Sequence, residues 1–232
     1  MGTTRLILVE GMIGAGKTTT AEHIADWLTS RGEQARAYHE FAEDHPIRTR
    51  AVDGLRVGYP GGARPIPGHP TNYGLEQWAR LAESCCREDR TVVLESTFLQ
   101  NSVIPAFVNG APPDELHAIF TAITTQLAPA TPLLIYLRPT DITAAINHTH
   151  EERGEPWSSW NVASATAYPW ARARNLSGRA AVIELYRGWE RMVDELLDGY
   201  PFEQLVLLDP QADWTAARTS IHRRLRGADA AE

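Results

Sequence analysis

Apolar residues along this chain recur in two spacings. Short continuous runs occupy residues 5 to 10 (RLILVE), 91 to 95 (TVVLE), 132 to 137 (PLLIYL) and 204 to 209 (QLVLLD), with a weaker one, ARAYHEF, at 35 to 41. Runs of this length, rich in Leu, Ile and Val and ended by a glycine or an acid, predict strands buried on both faces, as in a parallel sheet. Between them apolar residues return every three or four positions. Ala21, Ile24, Ala25 and Leu28 predict a helix from Thr18 to about Ser30, closed by Gly32. Leu75, Trp78, Leu81, Ala82 and Cys85 predict another over 75–88, and similar patterns cover 114–127, 141–152, 178–198 and 214–226.

Five buried strands alternating with helices, with no internal repeat, predict an α/β fold: a three-layer sandwich in which a five-stranded parallel sheet is flanked by helices. A chain of 232 residues suits one such domain, 1–232, with a full core. Residues 54–74 hold six glycines and four prolines, the composition of a long loop, which in a compact domain is usually functional or disordered.

The formal charge of -7 argues against nucleic acid or an anionic membrane as partner, since both select clustered Lys and Arg. A small-molecule acceptor is expected instead. No stretch approaches the roughly 20 apolar residues that cross a bilayer, and the chain enters its first strand without the basic and apolar regions of a signal peptide, so a cytoplasmic protein is expected. The two cysteines, Cys85 and Cys86, point apart on a helix and read as reduced thiols rather than a staple or metal site. Monomer and homodimer both remain open. Lys17 is the only lysine among 22 basic residues; an arginine-rich bias explains the others and leaves this one to be accounted for.

Gly11-Met-Ile-Gly-Ala-Gly-Lys17-Thr18 has the spacing G-x-x-x-x-G-K-[ST], directly after a predicted strand and at the start of a predicted helix. Glycines there let successive backbone N–H groups turn inward toward phosphate oxygens, and the helix start adds attraction for an anion. Gly11, Ile13, Gly14, Ala15, Gly16, Lys17, Thr18 and Thr19 are the candidate nucleotide-binding residues of this P-loop. The Lys17 ammonium would reach the β and γ phosphates, and the Thr18 hydroxyl would join the shell of Mg²⁺. A slim point charge is what this position calls for, and arginine does not replace it cleanly.

The chain lacks an Asn-Lys-x-Asp guanine motif, and the faint transporter-ATPase echo in NLSG (175 to 178) has no apolar strand ending in an Asp-Glu pair after it. A kinase needs a base for the acceptor, an acid near the metal and positive charge over the transferring phosphoryl group. Glu40, at the end of the second strand, is the candidate base, with Glu43 and Asp44 as competitors. Glu95, at the end of the third strand, is the candidate metal acid, and the choice of base among Glu40, Asp44 and Glu95 stays open. Arg153, beside a glycine in NHTHEERGEPW (147 to 157), is the candidate catalytic cation of a lid at about 147–160. His148 and His150 lack further ligands at metal spacing and read as surface residues. Trp157, Trp160, Tyr168 and Trp170 could wall an acceptor pocket, and Arg172 and Arg174 could contact phosphate.

VEGMIGAGKTTT closely resembles the opening of deoxynucleoside kinases and, more loosely, of thymidylate kinases, in which Glu-Gly leads into the P-loop. The order of parts is similar too: acids after the second and third strands (Glu40, Glu95), a lid after the fourth (near Arg153), a long helix in IELYRGWERMVDELL, and a last strand running into LDP. In that family these parts bind the acceptor, hold magnesium, cover the phosphates and pass near the adenine. The chain departs from the family in carrying Glu95-Ser96-Thr97 where an arginine usually follows the acid, and one lid arginine where several are usual. It thereby also looks like the small-molecule phosphotransferases that modify antibiotics, such as chloramphenicol phosphotransferase. The resemblance implies ATP and Mg²⁺ as cofactors and transfer of the γ-phosphoryl group to a hydroxyl of a nucleoside-like metabolite or an antibiotic. The choice between ATP and GTP stays open. A nucleotide-dependent regulatory ATPase acting on a protein partner is the alternative.

Overall fold

The computed structural model describes residues 4–47 and 74–227. The predicted loop at 54–74 lies outside the described residues except for Gly74.

The strand β1 (Leu6–Gly11) leads through the glycine-rich turn into α1 (Lys17–Ser30), and β2 (Ala35–Tyr38) follows. Next come α2 (Leu75–Arg87), β3 (Thr91–Glu95), a short α3 (Ile104–Val108), α4 (Pro113–Leu127) and β4 (Leu133–Arg138). The chain continues through α5 (Ile142–Arg153), α6 (Trp157–Ala167), the single turn α7 (Pro169–Arg172) and the long α8 (Gly178–Asp198) to β5 (Gln204–Leu208) and α9 (Trp214–Gly227). All strand pairings are parallel, in the order β2-β3-β1-β4-β5. The α/β architecture with its five-stranded parallel sheet is therefore the one the apolar runs predict.

Alternation along the central strand builds the layers, because successive side chains leave a strand on opposite faces. Leu6 and Leu8 join the larger apolar cluster with α2, α4 and α8, while Ile7 and Val9 join the smaller one with Ala21, Ile24 and Leu28 of α1 and Ala217 and Ile221 of α9. Every side chain of β1 is buried. With both faces covered, the carboxyl ends of β1 and β3 open onto one crevice, the usual ligand position in such sheets.

Three expectations are corrected. The second strand stops at Tyr38 rather than residue 41, because the chain turns there: the amide of Ala42 bonds the carbonyl of His39 at 2.9 Å, and the amide of Glu40 is drawn to the Glu95 carboxylate. The last strand is apolar but not buried on both faces. As the sheet edge it leaves Leu208 62% exposed, since an apolar run does not distinguish a central strand from an edge covered on one side. Helices α3, α6 and α7 were not anticipated; α6 buries only Asn161 and Ala165, too sparse a stripe for periodicity to reveal.

Candidate functional site

Gly14 and Gly16 have φ of +74° and +88°, the left-handed region that side chains rarely tolerate. Packing demands glycine there as well. A Cβ on Gly14 would lie 2.1 Å from Oγ1 of Thr149 in α5, and one on Gly16 would lie 2.4 Å from Cη2 of Trp214 at the start of α9. The loop is thus gripped from two sides by later parts of the chain, and the Gln211 amide adds a hydrogen bond to the Gly14 carbonyl. Lys17 opens α1, and its Nζ donates to the Met12 carbonyl at 2.9 Å with 8% of the residue exposed. Burial pulls the ammonium below its ordinary pKa, opposed by the carboxylates of Glu95, Glu10 and Glu40.

Those carboxylates form the opposite wall. Glu95, at the end of β3, is 2% exposed. Its Oε1 accepts the Glu40 amide at 3.1 Å and faces Nε2 of His39 at 3.5 Å, and its other oxygen accepts the Ser96 hydroxyl. Ser96 takes φ +59°, a conformation costing a non-glycine residue roughly 1 kcal/mol. With this bend the Ser96 side chain turns back onto the Glu95 carboxylate. The Glu40 carboxylate accepts from Gln100 Nε2 and Asn101 Nδ2, both at 3.2 Å. Burial raises its pKa first, and the nearby Glu95 charge adds to the rise. His39 accepts the Phe41 amide on Nδ1 at 3.2 Å, which turns Nε2 toward Glu95. The competing acids lie elsewhere: Asp44 pairs with Arg36 at 2.6 Å, and Glu43 is exposed.

A cleft of about 920 Å³ joins these groups. Among the described residues its lining includes Ile13, Gly14, Gly16, Lys17, Thr18 and Thr19 from the loop, Glu40 and Glu95 from the strand ends, and Arg153 from the end of α5. Gly11 and Ala15 are set back, the first buried and the second packed against the apolar clusters. Residues 147–160 are the end of α5, a turn and the start of α6, with the Arg153 guanidinium 4.7 Å from the centre of the Trp157 ring.

Other candidates fall away from the cleft. His150 is not a surface residue: it is 6% exposed, bonded through Nε2 to Asn161 at 3.0 Å and through Nδ1 to Arg179 at 3.2 Å. A guanidinium can only donate, so Nδ1 accepts and the Nε2 proton goes to Asn161. Trp170 belongs to the core against Phe107, and none of Trp157, Trp160, Tyr168 and Trp170 lines the cleft. Arg174 lies over Trp170 at 4.1 Å and, like Arg172, stays outside the cleft.

Sequence reasoning passed over Gln211, Trp214 and Gln100, which line the cleft, and Glu10, buried beneath it. Glu10 did carry a signal, as an acid inside a run otherwise buried on both faces. Its carboxylate, 1% exposed, accepts the amides of Phe98 at 2.6 Å and Gln100 at 3.2 Å. Burial pushes its pKa up to about 7 against the opposing pull of Lys17 and those amides.

No family model matches the chain, and no curated protein matches it. Among solved structures it is similar to the YorR protein from Bacillus subtilis, crystallised in complex with phosphorylated GDP, at 13% identity over 98% of this chain and 99% of that one, with a TM-score of 0.47.

Proposed function

We propose that this chain is a phosphotransferase that moves the γ-phosphoryl group of ATP to a hydroxyl of a small acceptor. One observation carries the reading: the sole lysine, at the mouth of a glycine turn, faces Glu40 and Glu95 across a single cleft. Residues Gly14 to Thr19 fit a polyphosphate, since a Cβ at 14 or 16 would meet a neighbouring helix and glycine leaves the backbone amides accessible. Lys17, desolvated and flanked by carboxylates, supplies a fixed cation for the β and γ oxygens.

In transfer, the acceptor oxygen attacks the γ-phosphorus, its proton passes to the Glu40 carboxylate, and the bond to the β–γ bridging oxygen breaks to release ADP. Burial, with the Glu95 charge beside it, raises the pKa of Glu40 and so strengthens it as a base. Arg153 at the rim supports the charge spreading over the equatorial oxygens. The Thr18 hydroxyl and the Glu95 carboxylate are the oxygen donors suited to Mg²⁺, which when bound would offset the phosphate charge. Among the described residues no cluster of three His, Cys, Asp or Glu could hold a metal ion by itself, which suits a cation that keeps water and phosphate in its shell.

The test is incubation of the pure protein with Mg-ATP and a library of nucleosides, other metabolites and antibiotics, with products read by mass spectrometry. A product heavier by one phosphoryl group, absent with Lys17→Ala, supports the reading. Brisk hydrolysis that no acceptor alters points to a regulatory ATPase instead.

A further inference from the structure

The Glu10 carboxylate lies under the cleft without lining it, and its two oxygens are taken by successive parts of the segment that follows β3. Oε1 accepts the Phe98 amide and Oε2 the Gln100 amide. The same segment then reaches the cleft with its side chains: Gln100 and Asn101 both donate to Oε2 of Glu40. A second anchor is backbone only, the Ser96 amide on the Val9 carbonyl at 3.1 Å. The path from Glu10 to Glu40 is therefore one carboxylate, the amides of residues 98–100 in a bent segment, and two side-chain amides on the candidate base.

We infer that Glu10 is a positioning residue for the transfer proposed above: it pins residues 96–101 to β1 so that Gln100 and Asn101 hold the Glu40 carboxylate in its orientation toward the acceptor. Two charge-accepting oxygens are needed, because the segment turns the successive N–H donors of Phe98, Leu99 and Gln100 toward them. A glutamine at position 10 would accept one amide and turn its own NH₂ against the other, leaving a buried donor unpaired. An aspartate is one methylene short of spanning both. Lys17 and Tyr136 are the ionisable neighbours whose charges couple to this carboxylate.

Glu10→Gln is the first variant, assayed by ADP release from Mg-ATP in water and by hydrogen exchange of individual amides. It is expected to leave the ATP KM within about threefold, lower kcat by about tenfold or more, and speed exchange at the Gln100 amide by about tenfold. If Glu10 acts through Glu40, the same change in a Glu40→Gln background costs less than about twofold further. A loss that persists in that background, or a Gln100 amide whose protection does not move, overturns the inference. Should Glu10→Gln fail to fold, the double variant Gln100→Ala/Asn101→Ala removes the other end of the path. It is expected to reproduce the kcat loss and its dependence on Glu40, and unchanged turnover there is equally fatal. A wild type that phosphorylates no member of the acceptor library rejects the kinase reading, whereas the exchange at Gln100 judges the pin by itself.

Discussion

The amide nitrogen of Glu40 lies 3.1 Å from Oε1 of Glu95, so the end of one strand holds the carboxylate of the other. Burial raises the Glu40 pKa and the nearby Glu95 charge adds to the rise, while the two side chains touch different groups. Glu95 is tied up by Ser96, His39 and the Glu40 backbone, while the Glu40 side chain is held by amides at the cleft wall.

Replacing Glu40 with glutamine removes the proposed proton acceptor while keeping shape. Turnover is expected to fall by about a hundredfold or more with little change in the affinity for Mg-ATP. Steady-state kinetics beside a nucleotide titration separates the two. The acid limb of the wild-type rate profile should lie above the ordinary carboxylate range and vanish in this variant.

Lys17→Ala is expected to reduce transfer by about a thousandfold while the protein stays folded, because the lost ammonium is replaced by a small apolar group in a desolvated place. Lys17→Arg should fail nearly as badly, since a planar fork does not fit a side chain whose residue is only 8% exposed. Circular dichroism must show both variants intact for the result to count.

Gly16→Ala combines a left-handed φ with a Cβ driven into the Trp214 ring, and a loss of roughly 1–3 kcal/mol is expected. Trp214→Ala in the same chain should return only the packing share. Denaturant melts of the two single variants and the double variant would show this partial recovery, and full additivity would contradict it.

Glu10 gives stability an inverted dependence on pH. Its folded pKa of about 7 lies above the ordinary 4.5, so between those values the native state holds more protons than the unfolded one. Stability from this group is therefore full below about pH 4.5 and is lost as pH rises through about 7, with a ceiling of about 3 kcal/mol. The difference in unfolding free energy between wild type and Glu10→Gln, followed from pH 5 to 8, should slope in that sense. A flat difference would contradict it.

How much of this was legible in the residues depends on how far apart the partners lie. The glycine turn with Lys17 and Thr18 is local, so spacing and flanking patterns sufficed, and the buried runs revealed the sheet. The end of β2 was misjudged because Glu95, 55 residues later, captures the amide of Glu40. His150 looked like a surface residue because Asn161 and Arg179 bury and bond it only once α5, α6 and α8 meet. Trp170 carried the same aromatic signal as a pocket wall would, and only its packing against Phe107 and Gly188 distinguishes the two.

The grip of Thr149 on Gly14 and of Trp214 on Gly16 also bears on synthesis. The glycine turn leaves the ribosome before either of its flanking supports, one encoded at residue 149 and the other at residue 214. Because long-range contacts close late, a nascent chain must carry the glycine turn without both supports until residue 214 has emerged, and a truncation before Trp214 would leave that turn open on one side.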